Sequence, residues 1–111
     1  MRLKFDRFVF DSSTQVIHGP NSEKLVMRPQ ATKVLECLLR RAPDLVSKKD
    51  LLNEVWGHEA LSESGVAQAI REIRKTLGEQ ASDPDIVGTR HGCGYYILCD
   101  VEILPEALPE V

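Results

Sequence analysis

Apolar positions change their period once along the chain, near residue 28, and the change separates two kinds of structure. Before it, short apolar, aromatic and β-branched pieces recur: Leu3-Lys4-Phe5, Phe8-Val9-Phe10, Gln15-Val16-Ile17-His18 and Lys24-Leu25-Val26-Met27. Asp11-Ser12-Ser13 and Gly19-Pro20-Asn21-Ser22 punctuate them with turn-forming residues. The pattern predicts four strands in an antiparallel meander. One face of such a sheet stays wet unless another element packs on it.

After Pro29, which suits the first turn of a helix, apolar residues fall at Ala31, Val34, Leu35, Leu38, Leu39 and Ala42. That spacing describes one helical face, and Pro43 ends it. Leu45-Val46 reads as a short extended piece. Ser47 is a good N-cap, with Asp50 three residues on in a capping-box-like relation. It opens a second helix through Leu51, Leu52, Val55 and Trp56, with Gly57 as its stop. Past the loop His58-Glu59-Ala60-Leu61, Ser62 or Ser64 caps a third helix running to Leu77, with Gly78 behind it. Val66, Ile70, Ile73 and Leu77 form its core face. Asp83-Pro84-Asp85 is a turn. Ile86-Val87-Gly88-Thr89 and Tyr95-Tyr96-Ile97-Leu98 then predict two strands around the glycine-rich tip His91-Gly92-Cys93-Gly94.

Residues after Val101 alternate Pro, Glu and Leu and predict a linker or frayed end. The expected organisation is one domain over 1–99 and an acidic, Pro-containing tail over 100–111. Its class is α+β: an N-terminal four-stranded antiparallel sheet, three helices and a C-terminal hairpin. Helices two and three form a helix-turn-helix and the hairpin a wing, which is the one-dimensional order of a winged helix.

Composition limits what this fold is for. The 111 residues suit a single domain. No apolar run approaches the ~20 residues needed to cross a bilayer, and Met1-Arg2-Leu3-Lys4-Phe5-Asp6 lacks a signal-peptide core. A cytoplasmic location is expected. Sparse aromatics predict a core mainly of Leu, Val, Ile and Ala. Three cysteines at irregular spacing argue against a disulfide framework. Cys37 reads as a small buried thiol, and Cys93 and Cys99 lack the C-x-x-C or basic helix start that activates one. The net charge of −3 is carried by the tail: Asp100, Glu102, Glu106 and Glu110 leave the body at +1. Any electrostatic footprint for an acidic partner must therefore be local.

The third helix is where such a footprint falls. At about 100° per residue, the face opposite its core stripe holds Ser64, Gln68, Arg71, Glu72, Lys75 and Glu79. Gln68 can read adenine through two hydrogen bonds, Arg71 can read guanine or hold phosphate, and Glu72 can accept from a cytosine amino group. Ser64 lies near the helix N-terminus, which favours phosphate. The blander alternative is a solvated face of mixed charge. Arg90 and His91 flank the glycine-rich tip, where backbone can approach a ligand closely and a basic hairpin can reach a minor groove; an ordinary tight turn is the alternative there.

Catalysis finds no support. His18, His58 and His91 lie on different elements, and His91-Gly92-Cys93 has no second ligand pair at zinc-like spacing. No phosphate loop, nucleophile elbow or dinucleotide fingerprint is present. No enzyme activity, metal, cofactor or small-molecule substrate is expected.

From Met27 to Leu98 the chain resembles the C-terminal effector domain of OmpR/PhoB-type response regulators and the N-terminal domains of CadC- and ToxR-type membrane regulators. The resemblance is carried by the run Arg28 to Leu35, by Val46-Ser47-Lys48-Lys49-Asp50-Leu51-Leu52-Asn53-Glu54-Val55-Trp56-Gly57, by Ile70-Arg71-Glu72-Ile73-Arg74-Lys75-Thr76-Leu77, and by Gly94-Tyr95. It implies sequence-specific binding of double-stranded DNA by a bacterial transcription regulator. The third helix would read the major groove through Ser64, Gln68, Arg71, Glu72 and Lys75, with Arg74 on phosphate. Trp56 would donate its indole N–H to the DNA backbone. Thr89, His91 and Tyr95 would touch backbone or minor groove from the wing. The loop Gly57–Leu61 would meet RNA polymerase, and a homodimer would form on direct repeats.

Three positions depart from the family's habit. Arg28 stands where Thr is common, His91 where Arg or Lys is common, and Glu72 where a basic residue is common. His91 implies a wing contact that weakens at high pH, and Glu72 repels phosphate. No receiver domain precedes the strands, so no phosphorylated switch is expected within the sequence. The acidic, Pro-containing tail is compatible with a longer parent in which it leads to a membrane helix, and nothing in the sequence shows one. The competing reading is a winged helix used for protein interaction, an antiactivator or assembly module with little DNA affinity. Steep salt dependence would separate DNA binding from it.

Overall fold

Residues 1–57, 64–80 and 82–105 are described by the computed structural model, in which two antiparallel sheets and three helices share one apolar core. The predicted meander is present as β1 (Arg2–Phe5), β2 (Phe8–Asp11), β3 (Val16–His18) and β4 (Lys24–Leu25). Because side chains alternate across a strand, the register aligns Leu3, Phe10, Ile17 and Leu25 in one row toward the helices. Phe5, Phe8 and Phe10 are all buried, and the rings of Phe5 and Phe8 stack at 5.7 Å. The aliphatic core expected from composition holds for the helices, whereas the sheet side is built on phenylalanine.

Helix α1 (Pro29–Arg41) buries Ala31, Val34, Leu35, Leu38 and Leu39 as its period requires. A short strand β5 (Val46–Ser47) leads into α2 (Lys48–Val55), where Ser47 Oγ accepts the Asp50 N–H at 3.0 Å. This satisfies one of the amides that a helix start leaves open. Gly57 behind α2 has a φ of +66°, the left-handed stop that glycine allows. Arg41 ties α1 to α2 through Asp50 at 3.4 Å and through Glu54. Glu54 also accepts the Cys37 S–H at 2.8 Å. Burial first, and then this carboxylate, push the Cys37 thiol up to about 12, which makes it the inert core thiol expected. Burial also raises Cys99.

Helix α3 (Ser64–Leu77) buries Val66, Ala69, Ile70, Ile73 and Leu77. The wing follows as β6 (Val87–Arg90) and β7 (Gly94–Ile97), with β5 on its far side in the order β5-β7-β6. Gly94 makes that second pairing sterically feasible: a Cβ there would lie 2.0 Å from the Val46 carbonyl oxygen.

Val101–Leu104, assigned above to a tail, forms strand β8 and pairs antiparallel with β1, so the first sheet has five strands in the order β4-β3-β2-β1-β8. Lys4 stands opposite Glu102 in that ladder, an opposite-charge pair on neighbouring strands. The loop His58–Leu61, the Ser62 cap and the tail over 106–111 lie outside the described residues.

Candidate nucleic-acid interface

The buried stripe of α3 fixes its rotation, and that rotation exposes Gln68, Arg71 and Lys75 while leaving Glu72 half-buried. These side chains line an open groove of about 500 Å³. The start of α1 closes one wall with Arg28 and Gln30, and Trp56 contributes from the end of α2. The indole lies so close to α3 that a Cβ on Gly65 would come 3.3 Å from Trp56 Cζ2. Five residues singled out from the sequence thus converge here: Trp56, Gln68, Arg71, Glu72 and Lys75. Among the described residues, three cations, Arg28, Arg71 and Lys75, and one carboxylate, Glu72, line the groove.

That carboxylate is engaged. Glu72 Oε2 accepts the Arg28 backbone N–H at 2.6 Å, and its Oε1 stands 3.9 Å from Arg28 Nε. Two of the three departures noted in the sequence therefore meet in space. Arg28 was not among the candidate site residues, because nothing local links positions 44 residues apart. The available signal was that both were unusual at their places.

The other flank of α3 is different. Arg74 Nη2 donates to the Val87 carbonyl at 3.0 Å and to Thr89 Oγ1 at 2.7 Å. Glu79 accepts the backbone N–H groups of Asp85 and Ile86, and that of Val87 at 3.1 Å. Arg74, expected on phosphate, and Glu79, placed on the open face by the helical wheel, both fasten the helix to β6. Thr89 is half-buried beneath Arg74. Tyr95, expected on the wing surface, is 7% exposed and packs in the core, because alternation along β7 turns it inward.

Ser64 is exposed at the first residue described in α3. Arg90 and His91 are exposed at the wing end, where the Cys93 N–H closes a turn on the Arg90 carbonyl at 3.0 Å and Gly92 takes a φ of +75°. None of these three lines the groove. Among the described residues no cluster of His, Cys, Asp and Glu is arranged to hold a metal, and no helix is long and apolar enough to cross a membrane.

Residues 22–97 match the family described as "Transcriptional regulatory protein, C terminal". The cholera toxin transcriptional activator of Vibrio cholerae is 28% identical over 107 residues, covering 93% of this chain and 36% of that protein. The transcriptional regulator HilA of Salmonella typhimurium is 32% identical over 107 residues, covering 94% of this chain and 19% of that protein. The chain thus spans well under half the length of these relatives. Among solved structures, the DNA-binding domain of E. coli CadC superposes with a TM-score of 0.78 at 22% identity, covering 91% of this chain and 94% of that one. The Klebsiella pneumoniae RstA DNA-binding domain, solved in complex with the RstA box, gives 0.76 at 21% identity, covering 86% and 95%. The fold is theirs, and the match over residues 22–97 places the chain in the family of transcriptional regulatory C-terminal domains, the OmpR/PhoB-type winged helices.

Proposed function

We propose that this domain binds double-stranded DNA sequence-specifically as the reading head of a bacterial transcription regulator. One observation carries the proposal: Arg28, Arg71, Lys75 and Gln68 gather along the exposed side of a helix whose opposite side is locked into the core. A helix presented in this way fits a major groove. Arg71 and Lys75 would hold phosphate or guanine, and Gln68 would read a base edge. Phosphate contacts fix register and base edges discriminate, with no covalent chemistry. Ser64 would approach phosphate at the start of the helix, and Trp56 would offer its indole N–H beside it. Arg90 and His91 would reach the neighbouring backbone or minor groove from the wing. Arg74, Thr89 and Tyr95 support that wing from beneath rather than meeting DNA.

The RstA complex and the regulatory names of the relatives support the same partner. Assembly as a homodimer on direct repeats, a polymerase contact through the 57–61 loop, and a cytoplasmic setting, including the cytoplasmic side of a membrane-anchored parent, belong to the same proposal. The competing protein-interaction reading drew on Glu72, whose charge here is matched by Arg28.

Fluorescence anisotropy against random duplex DNA tests the proposal. Each phosphate neutralised adds about −0.9 to the slope of log affinity against log salt, so Arg71 and Lys75 predict a slope of roughly −2 before any contribution from Arg28 or the wing. Absence of binding even at low salt would reject it.

A further inference from the structure

Among the described residues, Arg28 is the one cation lining the groove that does not belong to α3. It precedes Pro29, and its φ of −60° and ψ of 149° are the extended geometry that a following proline imposes. The backbone therefore enters α1 abruptly, and the Arg28 side chain, 81% exposed, borders the groove beside α3. Glu72 meets it from α3, with its side chain 30% exposed. One oxygen holds the Arg28 amide and the other stands near Nε. Among the described residues the Nη atoms of Arg28 have no hydrogen bond, so the far edge of its guanidinium keeps its donors.

A lone carboxylate in a DNA-facing groove would repel phosphate. A carboxylate that anchors an arginine to the reading helix does the opposite, because it delivers a planar, multiply donating cation at a set position. We propose that Arg28 makes a phosphate contact of its own from the N-terminus of α1, and that Glu72 is the positioning residue that holds it there. This rests on the DNA-binding reading above and adds to it a contact supplied from outside the helix-turn-helix.

The test is a salt titration of duplex binding for the full chain and four variants: Arg28→Ala, Arg28→Lys, Glu72→Gln and the double variant Arg28→Ala/Glu72→Gln. Glutamine still accepts the Arg28 N–H but carries no charge. Arg28→Ala is expected to make the log–log salt slope shallower by about 0.9, the value of one phosphate contact, with an unchanged melting temperature. Arg28→Lys should restore the slope. In the Glu72→Gln background, Arg28→Ala should change the slope by less than half as much, since the cation is no longer positioned.

A binding parent whose slope is untouched by Arg28→Ala overturns the inference and leaves the DNA-binding reading standing. A full-sized Arg28 effect in the Glu72→Gln background overturns the positioning role of Glu72. A parent that binds no duplex at any salt overturns the reading itself, and this inference with it.

Discussion

Helix α3 and the two residues after it turn an arginine and a glutamate toward each of two flanks, and the pairs have opposite fates. On the wing side, Arg74 Nη2 and both Glu79 carboxylate oxygens bond the backbone and hydroxyl of β6 and the turn before it, while Arg74 Nε is buried without a hydrogen bond among the described residues. On the groove side, Glu72 takes the Arg28 amide and leaves Arg71 and Lys75 exposed. The same residue types are tied into the structure in one place and stay open to solvent in the other. What separates them is the neighbour. Where a strand runs alongside, its unpaired amides and carbonyls draw the charges in, because an unsatisfied polar group at such a seam is costly. Where the neighbour is an open groove, the charges remain available to a partner.

The comparison can be broken first at Glu79. Glu79→Ala removes the acceptor of three backbone amides, Asp85, Ile86 and Val87. A loss of about 2–3 kcal/mol is expected, which thermal melts should show as a fall of roughly 10–20 °C. A change of only a degree or two would mean that the seam is not held by this carboxylate. Arg74→Ala should cost less, about 1–2 kcal/mol, because it orphans one carbonyl and one hydroxyl. Hydrogen exchange should reveal faster opening of the β6 amides in that variant, while the α1 amides stay protected. Equal acceleration in both would contradict a local role. On the groove flank, surface substitutions should move stability by no more than about 0.5 kcal/mol.

Local signals made most of the fold legible. The period of three and four along α1, the Ser47–Asp50 cap and the glycine-rich wing turn each involve residues a few positions apart, so each can be read without knowing the fold. The rotation of α3 followed from Val66, Ile70, Ile73 and Leu77, and with it the exposure of Gln68, Arg71 and Lys75. What stayed hidden depended on distant partners. Val101–Leu104 is a strand because β1 offers it an edge, and the Pro- and Glu-rich residues around it masked its alternation of Val101 and Ile103. A helical wheel placed Glu72 and Glu79 by angle but could not show that one meets Arg28 and the other the start of β6. Tyr95 was assigned to the surface by resemblance, whereas strand alternation buries it. Its neighbour Tyr96, half-buried, lies over Gly88 instead, where a Cβ would come 2.6 Å from Cζ of the ring.

Whether the exposed side of α3 reads DNA is decided by the Arg71→Ala/Lys75→Ala double variant in a duplex titration paired with a thermal melt. Binding is expected to be lost at moderate salt, with the residual low-salt slope shallower by about 1.8, two phosphate contacts, and the melting temperature within a few degrees of the parent. Unaltered affinity in a folded double variant would contradict it.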